Sequence, residues 1–182
     1  MKSRIENFFI NSAKVLIDPD TLFKEKDGQK DYEGIVSLIF YVAILGLLIG
    51  METQSAVITI LLILVSIIGL MVFKLIHCGL TYLFAMIFKG KGKFSTLYNL
   101  MCYGYVTDII LIIGIGLFAA TGKFLILIPI LLLVFLMKTI ITVSAVNNVY
   151  KFGYGKSFLS AYGILILIGI VVGLLLWTTI KY

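Results

Sequence analysis

Charge is what this chain has least of. Asp, Glu, Lys and Arg make up 13% of its 182 residues, against about 25% in soluble domains. Hydrophobic residues make up 61%, and the mean hydropathy is +1.13. After about residue 30 no hydrophilic stretch is long enough for a soluble domain, which implies one membrane domain with a short polar arm. Enzyme groups are equally scarce. One histidine, two cysteines and a single carboxylate deep in an apolar segment, Asp108, assemble no zinc site of familiar spacing and no aspartate pair for intramembrane proteolysis. No Gly-x-Ser-x-Gly elbow is present, and Gly155-Lys156-Ser157 matches only the tail of a phosphate-binding loop. No catalytic residue, metal or cofactor is therefore expected, and the chain reads as a non-enzyme. Cys78 and Cys102 fall within expected spans as small buried hydrophobes. The first residues lack the uninterrupted apolar core and small-residue cleavage site of a signal peptide.

What is present is a succession of apolar runs. Residues 3–17 set Ile5, Phe8, Phe9, Ala13 and Leu16 on one helical face, an amphipathic helix too polar to span. It either lies in the headgroup plane or packs on the ends of the spans. Asp18-Pro19 ends it and starts a second short turn anchored by Leu22 and Phe23. Residues 24–33, of alternating charge, read as a solvated connector, so that 1–33 is a cytoplasmic arm and 34–182 the membrane domain. Five spans follow, at 34–50, 56–88, 94–120, 124–150 and 157–180. The fold expected is all-α: a polytopic membrane protein of five transmembrane helices. The second span, at about 1.5 Å per residue, is about 50 Å long and must tilt, kink or protrude.

The turns after spans two and four carry Lys89, Lys91, Lys93, Lys151 and Lys156, while the opposite turns carry Glu52 and Lys123, with Lys181 at the end. Excess lysine in short loops marks the cytoplasmic side, so the N-terminus is expected inside and the C-terminus outside, in the cell membrane. These lysines are expected to meet anionic lipid headgroups rather than nucleic acid. A repeat is legible too: Phe73-Lys74 followed by Gly90-x-Gly-Lys93 recurs as Met137-Lys138 followed by Gly153-x-Gly-Lys156. The two copies would be parallel repeats, spans two–three and four–five. Gly46/Gly50, Gly169/Gly173 and the pair Gly114 and Gly116 read as close helix contacts within the chain.

Three ionisable residues, Lys74, Asp108 and Lys138, lie about four helical turns from their lysine turns, and His77 is one turn from Lys74 on the same face. An isolated charge near a bilayer centre costs at least about 2.5–3.5 kcal/mol, so the helices should bring these groups together. Tyr103 and Tyr105, with Tyr162, Asn99, Asn147 and Asn148, would line the same region. Either this is a polar cavity open to the cytoplasm, or the second helix protrudes, the lysines reach headgroups and Asp108 pins helices.

The arm ending in Asp18-Pro-Asp-x-Leu-Phe23, the long second span through His77 to Phe88-Lys-Gly-Lys-Gly-Lys-Phe94-Ser95, and the tyrosines Tyr98, Tyr103 and Tyr105 together resemble the Yip family of Ypt/Rab-interacting membrane proteins, in its short prokaryotic form. The last hairpin, Tyr150 to Tyr182, fits the same layout. Two departures stand out: Thr107-Asp108 replaces the proline common after the span-three tyrosine, and the Asp-Leu-Tyr-Gly-Pro segment of the eukaryotic branch is absent. The resemblance implies five helices, a cytoplasmic N-terminus, and relatives that act in vesicle traffic and bind prenylated small GTPases. The function expected is the handling of lipid, or of a lipidated or membrane partner, at the cytoplasmic leaflet. Transport of an ion or small solute through the Lys/Asp/His cluster is the alternative.

Overall fold

The computed structural model describes residues 4–26 and 31–180, and every regular element among them is helical. Residues 27–30 of the connector, and Lys181, lie outside the described residues. The arm forms α1 (Arg4–Ile17) and α2 (Pro19–Glu25). The spans are α3 (Glu33–Met51), α4 (Ala56–Ile87), a divided third span, α7 (Leu127–Tyr150, preceded by a 3-10 turn at Phe124–Ile126) and α8 (Tyr154–Ile180). The third span is α5 (Phe94–Cys102), a 3-10 turn (Tyr103–Thr107) and α6 (Asp108–Thr121), where the apolar run predicted one uninterrupted helix. All five spans are long and apolar enough to cross a membrane.

The core lies at the end that holds the arm. Every residue from Leu97 to Asp108 is buried, while the far half of α4 and most of α8 are exposed and present apolar side chains outward, as lipid-facing helices do. Small residues set the hairpins of the far side. A side chain on Gly46 would meet Ile63, one on Gly50 would meet Thr59, and one on Gly114 would meet Ile130. A side chain on Gly116, Gly169 or Gly173 would meet nothing within 4 Å among the described residues, so the close intrachain contact expected at the Gly169/Gly173 pair is not made. The α6 helix stops at Gly122, whose φ of 66° is the left-handed conformation that only glycine adopts without strain.

The arm is docked rather than loose. Asp18 caps α2, accepting from the Thr21 N–H (3.1 Å) and hydroxyl (2.5 Å). This turn drives Leu22 and Phe23 fully into the bundle core, where the Phe23 ring packs on Tyr103 at 5.8 Å. On α1 the buried stripe is Ser12 and Val15 with half-buried Phe8, whereas Ile5, Phe9 and Ala13 face outward. The apolar surface read from the sequence as one face is therefore split, one stripe on the bundle and one beside it.

Register fixes the depth of the charged groups. In the α3–α4 hairpin Gly50 faces Thr59 and Gly46 faces Ile63, and continuing that antiparallel pairing sets Glu33 opposite Ile76. With its 19 residues, α3 is about 28 Å long, close to the thickness of a hydrocarbon core, and its ends are the natural reference for depth along the other spans. Lys74 then lies within one turn of the arm-side boundary, and the remainder of α4 protrudes on the arm side by about 16 Å. Asp108 stands about 20 Å from the far end of α6, about 8 Å short of the length of α3. Lys74 and Asp108 thus lie toward the arm-side end of the spans.

Candidate functional site

The 3-10 turn presents Tyr105 to the lysines of two other helices, and the first residue of α6, Asp108, meets one of them. Lys138 Nζ, on α7, meets Asp108 Oδ1 at 2.5 Å and lies 4.7 Å from the centre of the Tyr105 ring. Lys74 Nζ, on α4, approaches the same ring at 5.9 Å. Asp108 is almost wholly buried, whereas the Lys138 side chain keeps 35% of its surface. Lys74 is 7% exposed and has no carboxylate partner among the described residues. The ring face is an electron-rich neighbour for both cations.

The other residues grouped with this cluster face elsewhere. His77 Nε2 sits 2.9 Å from the Ala161 carbonyl, and its ring is 5.7 Å from Tyr162, so it belongs to the α4–α8 contact. Tyr103 donates to Glu33 Oε2 at 3.0 Å. Asn147 accepts from the Gly153 N–H (3.0 Å) and ties the α7–α8 turn. The Asn148 amide, oriented to suit both groups, donates to the Phe23 carbonyl (3.3 Å) and accepts from the Lys24 N–H (3.2 Å).

A polar hub at the start of α3 escaped the sequence reading. Glu33 Oε2 accepts from Asn11 on α1 (2.7 Å), Lys26 after α2 (2.8 Å) and Tyr103. Lys26 also pairs with Asp31 Oδ2 at 2.6 Å, and Asn99 on α5 donates to Asp31 Oδ1 (2.9 Å) while accepting from the Ile35 N–H (3.2 Å). Burial alone would lower the Lys26 pKa, but Asp31 and Glu33 outweigh it and hold the ammonium above the ordinary lysine value. A second link runs through Asp20, which accepts from the Ser144 and Tyr154 hydroxyls and so joins α2 to α7 and α8. The Asp18-Pro-Asp-x-Leu-Phe motif is thus a docking device: a cap, a polar clasp and two core anchors.

The basic turns surround this end. Lys89 and Lys151 close α4 and α7 in left-handed conformation (φ 61° and 54°), and Lys89, Lys91, Lys93, Lys151 and Lys156 are all exposed. The first turn packs closely on the end of α7, where a side chain on Gly92 would strike Val149 and Tyr150. Between this turn, the start of α5 and the hub is a cleft of about 690 Å³, lined by Lys26, Asp31, Ile35, Lys91, Lys93 and Asn99 among others. A second, about 390 Å³, lies between α2 and the α7–α8 turn and includes Lys151.

No curated protein and no solved structure matches the chain. A family model does: the Yip1 domain, over residues 13–176. That span runs from the docked arm through all but the end of the fifth helix, and the chain belongs to the Yip1 domain family of membrane proteins.

Proposed function

We propose that this protein is a non-enzymatic organiser of the membrane, engaging anionic lipid headgroups at the leaflet on its arm side. The observation that carries the reading is sidedness. The five lysines of the two basic turns are exposed at the same end as the arm, and the positive-inside rule makes that end cytoplasmic. Each lysine near an anionic surface adds about 1 kcal/mol of attraction. The exposed stripe Ile5, Phe9 and Ala13 on α1 suits contact with the same surface. The ion pair between Asp108 and Lys138 supports a structural role for that carboxylate over a proton relay.

Proteoliposome binding tests the reading. Replacing Lys89, Lys91 and Lys93 together with glutamine should weaken association with anionic vesicles at low salt, and the loss should shrink as salt rises. Unchanged binding would overturn it. Transport is tested on the same preparation: the reading expects no solute or ion flux from the wild type, and flux abolished by Asp108→Asn would establish transport instead.

A further inference from the structure

We propose that the larger cleft, beside the α4–α5 turn, is a discrete site for one anionic phospholipid headgroup. The inference deepens the headgroup reading above and rests on it. Charge supplies the first argument. Lys91 and Lys93 both line the cleft and have no carboxylate partner among the described residues. The one carboxylate in the lining, Asp31, has its two oxygens turned to Lys26 and Asn99, so it is neutralised within the wall. The lining is therefore cationic where it is unsatisfied.

Backbone geometry supplies the second. The helix α5 starts at Phe94 in the cleft wall with no side chain capping it. The N–H groups of its first turn have no partner within the helix, and Phe94, Ser95 and Thr96 line the same cleft as Lys91 and Lys93, an arrangement that suits a phosphate oxygen. A side chain on Gly92 would strike Val149 and Tyr150, so the turn between the two exposed lysines packs against the end of α7.

Position selects a lipid over a soluble phosphate. Ile35 belongs to the first turn of α3, at the membrane boundary, and with Phe94, Leu100 and Val149 it gives the cleft an apolar wall. A cavity that is cationic on one side and apolar on the other, at the level where headgroup meets chain, fits an amphiphile whose phosphate sits between Lys91 and Lys93.

The test uses the full chain in phosphatidylcholine nanodiscs, titrated with short-chain phosphatidic acid and read by native mass spectrometry. Wild type should saturate at one phosphatidic acid per chain. Lys91→Gln with Lys93→Gln should weaken that binding about tenfold or more. Lys89→Gln with Lys156→Gln removes the same charge outside the cleft and should change it less than about threefold. Equal weakening by the two pairs would overturn the discrete site while leaving the general headgroup reading intact. No weakening by either would overturn both. Competition by glycerol 3-phosphate or inorganic phosphate at concentrations equal to the lipid would overturn the assignment to a lipid.

Discussion

Asp108 answers to two lysines, and it pairs with only one of them, Lys138 at 2.5 Å. Replacing it with asparagine leaves both amines facing Tyr105 without a counter-charge. Loss of one partner from a buried pair costs about 3–5 kcal/mol, but Lys138 keeps 35% of its side-chain surface, so about 1–3 kcal/mol is the expected loss. Adding Lys138→Met should recover much of it, because a methionine of similar length needs no partner. Thermal unfolding of the single and double variants in detergent checks this; a double variant less stable than Asp108→Asn would contradict it. The Asp18 cap gives a pH signature. Its carboxyl is held below its ordinary 3.8, first by the hydrogen bond from the Thr21 hydroxyl. A depressed folded value means the cap's contribution is complete above pH 3.8 and is lost as pH falls through the folded value. Amide exchange in α2 should therefore quicken only in acid, and Asp18→Asn should remove that dependence.

At the scale of elements, α2 is the short helix that closes the arm-side end. It has seven residues, too few to be stable alone, and owes its order to tertiary contacts. Phe23→Ala should cost about 3 kcal/mol or more and release the arm, seen as faster tryptic cleavage at Lys24 and Lys26. Ile17→Ala, at an 85% exposed position, should change stability by less than about 0.5 kcal/mol. Which elements form was largely legible, because apolar runs of span length and glycine-lysine turns are strong signals. The 3-10 turn was not: Tyr103-Gly-Tyr-Val-Thr107 is as compatible with an α-helix as its neighbours, and packing decided its winding. The hub was missed for a related reason. Asp31, Glu33 and Lys26 sit in a stretch of alternating charge that reads as solvated, and only the approach of α5 makes it a half-buried junction. Tyr103 was grouped with Tyr105 by proximity in sequence, yet the two serve different polar centres.

For the whole molecule, the question is where the charges sit in the bilayer. Counting turns from the lysine loops sets Lys74, Asp108 and Lys138 deep, because it treats the loops as the membrane boundary. The α3–α4 register offers another reference: α3 has the length of a hydrocarbon core, and α4, paired with it, carries its last turns beyond the start of α3. Ionisable groups in the outer third of the core reach headgroups and water at far lower cost than at the centre. Near that end of the spans, two lysines and one aspartate can be kept without an aqueous pathway. The same geometry stacks the cluster, the hub, the arm and the basic turns at one end of the molecule, and leaves the far halves of α4 and α8 with exposed apolar faces.

Depth is therefore the decisive quantity. With Cys78 and Cys102 replaced by alanine, nitroxide labels at Ile68→Cys and Ile76→Cys, both lipid-facing on α4, report it through the ratio of oxygen to aqueous nickel-chelate accessibility. The account predicts the label at 76 at the headgroup boundary and the label at 68 about 10–12 Å deeper, near the midplane. Equal depth for the two, or a label at 76 buried more deeply than the one at 68, would contradict it.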